Sequence, residues 1–290
     1  MSERYDQYDS WAWLYDQTVG PEYGREQFSV LQRVLIPKLK EGAKLFDLCC
    51  GTGQLIEHLL RKGYEVVGLD GSEEMLKRAE INAPKAEYVL EDARKYKKPN
   101  YFDAAFSTSA ALNHVPSVED LKQVFENVYA SLNEVGVFVF DLNHPEQMEK
   151  WWRGRPLEGM IAPKWAYMVT PFYQSDKKEG FFRVHMSRQV VRDKGIGALM
   201  RPIKDALYTF LSRARLVGLR IRLIRKIREV EPAWDHQEND FEVTAHEINA
   251  VQNALRDVGF SKVSIQTLEG DSKIDSNHSA YFICEKRGAV

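Results

Sequence analysis

Asp47, Gly51, Thr52 and Gly53 are the residues of this 290-residue chain whose types and spacing first point to chemistry. The apolar run Leu45-Phe46-Asp47-Leu48 stops at Cys49-Cys50-Gly51-Thr52-Gly53, and a helix pattern follows. Two glycines this close let the backbone turn sharply and approach a ligand. The helix that begins there aims free N–H groups at whatever lies above the turn. A pyrophosphate fingerprint Gly-x-Gly-x-x-Gly is incomplete, because Ile56 stands at its third glycine, and no Gly-Lys-Ser/Thr ending follows for a triphosphate loop. An acid just before the glycines repels phosphates and suits a ligand carrying an ammonium group. Asp70 ends a second apolar run, Glu65–Asp70, about twenty residues on, where an acid meets ribose hydroxyls in a βαβ unit. Asp92 and Ala93 follow a third run around Ala86–Leu90, and Ser107 ends a fourth, Phe102–Ser107. Polar groups thus gather at the carboxyl ends of successive strands, where wound sheets bind ligands.

The elements that must hold these residues alternate. Leu55 and Leu59 lie on one face of a helix over Gln54–Lys62, with Gly63 as its stop. Ser72 suits a helix N-cap with Glu73 and Glu74 in the first turn. Ser117 caps a helix carrying Leu121, Val124, Val128 and Leu132, and Glu134–Asp141 reads as a fifth strand. Thr244-Ala245-His246-Glu247 reads as a capping box before a helix with Ile248, Val251, Leu255 and Val258 inward, followed by strands near Val263–Leu268 and Ala280–Glu285. The fold class is α/β: a doubly wound, mainly parallel sheet.

The ordered set Asp47-Leu-Cys-Cys-Gly51-Thr-Gly53, Gly68-Leu-Asp70-Gly71-Ser72-Glu-Glu-Met75 and Glu91-Asp92-Ala93-Arg94 resembles class I S-adenosylmethionine-dependent methyltransferases of the small-molecule type. The resemblance is close over about residues 40–142 and by pattern only over 245–287. It implies a Rossmann-like, seven-stranded sheet with a final antiparallel hairpin, and S-adenosylmethionine as cofactor. It puts Gly51, Thr52 and Gly53 around the methionine moiety with Asp47 near its ammonium. Asp70 then takes the ribose diol, Gly71, Ser72 and Met75 border the adenosine, and Asp92 and Ala93 meet the adenine edge. Ser107 and Thr108 come beside the transferable methyl. Cys50 fits the small residue before the glycines, while Cys49 and Cys50 also read as small buried residues of an apolar strand.

Four segments follow: an N-terminal helical flap (1–40), the cofactor-binding core (41–142), an inserted substrate cap after strand five (143–243), and the last helix and strands of the core (244–290). The flap is aromatic, and Phe28, Leu31, Val34 and Leu35 recur at helical spacing. Tyr8 and Tyr15 are candidates to line the methyl-transfer channel or simply to anchor the flap. In the insertion, Trp165–Tyr173 and Phe181–Val191 flank Ser175-Asp-Lys-Lys-Glu-Gly180 as a hairpin. A dimerisation surface is the other reading of this insertion. Within it, residues 211–230 interleave Arg213, Arg215, Arg220, Arg222, Arg225, Lys226 and Arg228 with leucines and isoleucines, as strand or helix. That segment is open to three roles: a solvated face, a site for an anionic substrate, or contact with an anionic membrane.

Methyl transfer needs alignment and, for an amine or hydroxyl acceptor, a base. Histidine suits that work. His114, after strand four, is the first candidate, His144, after strand five, the second, and Tyr15 a third participant; His246 beside the helix cap reads as structural. The position after strand four reads Ser107-Thr-Ser-Ala-Ala-Leu and not Asn/Asp-Pro-Pro-aromatic, and a formal net charge of -2 gives no pull toward nucleic acid, so a small-molecule acceptor, methylated on N or O, is expected. Three cysteines give neither a disulfide framework nor a metal-ligand spacing. With no signal-peptide pattern at the start, a cytoplasmic enzyme is expected. A membrane-associated lipid or quinone methyltransferase and a non-catalytic S-adenosylmethionine-binding module are the alternatives.

Overall fold

Short β-rich apolar runs, each closed by a glycine or an acid, alternate with amphipathic stretches, and the chain folds accordingly. The computed structural model describes residues 3–191 and 195–286, so the extreme ends of the expected flap and C-terminal segment, and 192–194 of the insertion, lie outside the described residues. In chain order the elements begin with α1 (Glu3–Gln17), α2 (Val19–Val34), β1 (Lys44–Leu48), α3 (Gln54–Leu60), β2 (Glu65–Asp70) and α4 (Glu73–Asn82). They continue with β3 (Glu87–Leu90), β4 (Phe102–Ser107), α5 (Val118–Ser131), β5 (Leu132–Leu142), α6 (Pro145–Trp151), β6 (Glu158–Ala162), β7 (Trp165–Gln174) and β8 (Glu179–Arg188). The last are α7 (Ile196–Leu211), α8 (Val217–Ile224), α9 (Ile227–Val230), β9 (Asp235–Thr244), α10 (Ile248–Val258), β10 (Lys262–Gln266) and β11 (Ala280–Glu285). A short 3-10 turn spans Ala111–His114.

The described residues form two compact units, one running to Lys150 and resuming at Val243, the other Trp151–Glu242. The first carries a seven-stranded sheet in the order β10-β11-β5-β4-β1-β2-β3. Five of its strands, β5, β4, β1, β2 and β3, are parallel, and β11 runs antiparallel to both β5 and β10. This is the expected mainly parallel, doubly wound sheet. Being covered on both faces, its inner strands are mostly apolar. On one face Phe46, Phe138 and Phe140 pack with Leu121 and Val124 of α5 and Leu255 of α10. On the other, Leu45, Phe106 and Val139 pack with Leu31 of α2 and Ile56 and Leu59 of α3. Each such buried side chain contributes roughly 1.5–3 kcal/mol of transfer free energy.

From β1 the chain runs outward to β2 and β3 and then crosses back to β4 on the other side of β1, so the strand order switches between β1 and β4, and a ligand crevice forms at such a switch point. Ser72 and Ser117 cap α4 and α5 as read, accepting from the N–H of Met75 and of Asp120. The capping box at Thr244 does not form. Glu247 is the N-cap of α10 and makes no side-chain cap bond; Thr244 instead ends β9, and its hydroxyl donates to the Pro116 carbonyl. Strand pairing took the residue whose side chain would have capped a helix.

The second unit holds a four-stranded sheet in the order β6-β7-β8-β9, with β7 and β8 forming the expected hairpin. The arginine-rich stretch is helical, as α8 and α9. Its strand-like alternation yields because Arg220 turns inward, buried, and donates to the carbonyls of Gly159, Leu211 and Arg213.

Candidate functional site

The site is built where β1, β2 and β4 end. Gly51 has φ +55° and Gly53 φ +78°, values that L side chains rarely adopt. A Cβ on Gly53 would also lie 2.9 Å from Ala79 of α4, so this glycine seats α3 against α4. A Cβ on Gly51 would meet only the Tyr15 ring, at 3.7 Å. The turn is therefore open above Gly51, as a ligand cradle requires. Cys49 sits beside it at φ +60° and is exposed, and Cys50 is half-buried, so the pair is not the buried apolar filling expected.

Asp70 organises this turn. Its Oδ2 accepts the Gly51 N–H and its Oδ1 the Ser72 N–H, both at 2.9 Å. Burial and the neighbouring Asp9 push its carboxyl up, against those N–H groups, which stabilise the anion. Asp47 is buried, and desolvation followed by the Asp70 charge raises its carboxyl well above the usual range. A cationic group beside Asp47 would offset its penalty, which fits the ammonium of S-adenosylmethionine, and neutral hydroxyl donors at Asp70 fit its ribose. Gly71 adds a third backbone bond to Asp70. Ser72 and Met75 are buried at the start of α4.

Thr52, Asp92 and Ser107 stand at the neighbouring strand ends and turns. The Thr52 hydroxyl is turned onto Gln54 Oε1 at 2.5 Å, and the Thr52 carbonyl accepts from Asn82. The Asp92 carboxylate is held by Arg94, Nε to Oδ1 at 3.0 Å and Nη2 to Oδ2 at 2.6 Å, beside Ala93. Ser107 Oγ is buried with no hydrogen-bond partner among the described residues.

The N-terminal helices reach this face. Asp9 of α1 accepts from the Ser72 hydroxyl at 2.5 Å and from the Glu74 N–H at 3.2 Å. Asp16 accepts from Gln54 at 2.9 Å, Asn82 at 2.6 Å and Arg78 at 3.3 Å. Asp9 and Asp16 escape sequence reading because nothing local marks an acid whose partners lie 38 to 66 residues on.

Two residues 106 apart meet here: the Tyr8 hydroxyl lies 2.6 Å from His114 Nε2, and the rings stack edge to face. His114 is held by its neighbour. Buried Asn113 donates to the carbonyls of Asn143 and Thr244 and accepts the Asn143 N–H, tying the 3-10 turn to the end of β5. Tyr15 packs edge-on against Trp11, over Gly51. His144 is elsewhere: buried, with Nε2 at 3.2 Å from the carbonyls of Asp275 and His278. His246 is likewise bound to the Val115 carbonyl.

Asp141, at the end of β5, was not singled out by sequence. Oδ2 accepts the Ala110 N–H at 3.0 Å, while Oδ1 is buried with no partner among the described residues. Burial raises its carboxyl to about 7. The folded chain therefore keeps a proton that the unfolded chain, with its ordinary carboxylate, has lost between about pH 4 and 7. Stability falls as pH rises through that window, by up to about 4 kcal/mol for three units. Asp141→Asn should flatten this slope, melting closer to wild type at pH 5 and well above it at pH 8. Equal slopes in a calorimetric pH series would show that Asp141 ionises normally.

Residues 45–136 match the family model described as a methyltransferase domain. A dTDP-3-amino-3,4,6-trideoxy-alpha-D-glucopyranose N,N-dimethyltransferase from Streptomyces venezuelae is 27% identical over 133 residues, 46% of this chain and 52% of that protein. A glycine/sarcosine N-methyltransferase from Aphanothece halophytica is 32% identical over 114 residues, 37% of this chain and 43% of that protein. The chain spans little more than half the length of the curated relatives it matches first. Among solved structures, a S-adenosylmethionine-dependent methyltransferase from Clostridium acetobutylicum superposes with TM-score 0.66 at 17% identity, over 97% of this chain and 99% of the other. Streptomyces venezuelae DesVI superposes with TM-score 0.65 at 18% identity, over 98% of each. The match makes residues 45–136, with their glycine turn and acids, a methyltransferase domain, and the chain has the fold of the solved S-adenosylmethionine-dependent methyltransferases.

Proposed function

We propose that this chain transfers a methyl group to an amine nitrogen of a small-molecule acceptor. The observation that carries the reading is the Tyr8–His114 hydrogen bond of 2.6 Å on the crevice side of the sheet, beside the Ser107 strand end. Bound S-adenosylmethionine supplies a methyl group already activated by its sulfonium. Asp47, Asp70 and the Gly51 turn hold and orient that cofactor. An ammonium acceptor must lose a proton before it can attack, and Tyr8 can take it while passing its own to His114 Nε2. Asn113 keeps the imidazole in place for that relay, and the Tyr15 ring shields the turn from water. His144, with Nε2 bound to two carbonyls, anchors the loop near Asp275. The choice of acceptor is assigned to the second unit, Trp151–Glu242.

Support for nitrogen over oxygen comes from relatives whose names specify N-methylation, of amino sugars and of glycine or sarcosine. The test is incubation with methyl-labelled S-adenosylmethionine and two acceptor sets, amino sugars with amino acids, and their hydroxyl counterparts. Label should enter the amines. Label confined to hydroxyl acceptors would overturn the nitrogen assignment. Tight cofactor binding with no transfer to either set would favour a non-catalytic binding module.

A further inference from the structure

Helix α7 has two apolar faces. The inner one, with Tyr208 and Leu211, packs with Ile224, Ile227 and Trp234 and with Ile161 and Met168 of the small sheet. The outer one carries Leu199, Ile203, Leu207 and Phe210, spaced by four, four and three residues. All four are exposed, Leu199 at 77% and Ile203 at 63%. Residues at that spacing form one stripe along a helix. Val217 and Leu219, on and just after the next turn, are exposed as well. A folded protein does not leave such a stripe in water without a use for it.

The charge beside the stripe says what covers it. Between Asp205 and Glu229 the sequence has no acidic residue. Arg213, Arg215, Arg222, Arg225, Lys226 and Arg228 are all exposed there. None of the six makes an ion pair among the described residues, whereas Arg201 and Lys204, on the inner side, are neutralised by buried Glu231. A twofold contact of this patch with a second copy would set these cations against each other. An anionic bilayer offers the opposite: acyl chains for the stripe and phosphates for the arginines. No helix among the described residues is long and apolar enough to cross a membrane, so the contact is one that lies in the interface.

We infer that α7 and α8 form a docking surface for an anionic membrane. The leucines, Ile203 and Phe210 enter the headgroup boundary while the arginines and Lys226 hold lipid phosphates. This goes beyond the transfer reaction and is tested without it, on the full-length chain.

Co-sedimentation with vesicles of phosphatidylcholine alone, or with about one-third phosphatidylglycerol, reads the surface directly. Wild type should pellet with the anionic vesicles, lose binding as salt rises, and stay in solution with phosphatidylcholine alone. Each basic residue near the surface is worth about a fivefold factor, so Arg222→Glu with Arg225→Glu should weaken partition by about 25-fold or more. Ile203→Glu with Phe210→Glu should abolish it. Both pairs are exposed, and unchanged circular dichroism with unchanged binding of S-adenosylhomocysteine would confirm that the variants fold. No pelleting at low salt would overturn the inference, as would binding that survives both double variants. So would a dimer seen by light scattering that Ile203→Glu dissolves while vesicles bind nothing, which would assign the stripe to a second copy.

Discussion

Asp70→Ala should weaken binding of S-adenosylmethionine, and of S-adenosylhomocysteine, by about 100-fold or more in a calorimetric titration. The carboxylate does two things at once. It is the group expected to accept the ribose hydroxyls of the cofactor. It also accepts the N–H groups of Gly51 and Ser72, at 2.9 Å each. Hydrogen bonds to a charged group are worth roughly 1.5–3 kcal/mol, so losing the two that the ribose hydroxyls would donate already reaches the stated factor. The same change removes one of two crowded acids, because Asp70 contributes to the raised carboxyl of Asp47. Global stability should therefore fall much less than affinity does. Ser72→Ala separates the two effects. It deletes the α4 cap and the Asp9 contact, costing about 1 kcal/mol of stability, but leaves Asp70 in place. Its affinity should stay within about tenfold of wild type. An Asp70→Ala protein binding within threefold of wild type would show that the turn holds its ligand by other means.

What was legible in the sequence was what is local. The glycine turn, the acid at the end of β2, and the serine caps of α4 and α5 each depend on a few neighbouring residues, and each stands where the pattern put it. The sheet followed from apolar runs of strand length between helical patterns. Three features failed to read because packing decided them. Thr244 had the spacing of a cap and became the end of a strand. Leu219-Arg-Ile-Arg-Leu alternated like a strand and became a helix, since Arg220 found three carbonyls inside. Cys49 looked like core and is exposed, because the last residue of an apolar run before a ligand turn faces the crevice. The acids Asp9, Asp16 and Asp141 carry no local signature at all. Their meaning comes from α1 lying on α4 and from the turn after β4, neither of which a window of sequence contains.

His114→Ala should lower kcat by about 100-fold with the affinity for S-adenosylmethionine unchanged, the usual worth of a positioned general base. The imidazole is outside the cofactor cradle and inside the contact between α1 and the 3-10 turn, so its removal touches the acceptor side alone. Tyr8→Phe is the sharper probe. It keeps the ring that packs edge-on against His114, and near Trp11, and deletes only the hydroxyl. If Tyr8 passes the proton to His114, the two residues act as one unit. Each single variant should then lose nearly as much as the double variant, and the cycle should be strongly non-additive. Additive losses would mean that the two residues hold the flap and the turn separately. A His114→Ala enzyme with wild-type kcat would take the histidine out of the reaction and leave alignment by the cradle as the source of rate. Asn113→Ala gives a third, independent reading. It frees the turn from the Asn143 and Thr244 carbonyls without touching the imidazole chemistry, so it should raise the acceptor KM as well as lower kcat.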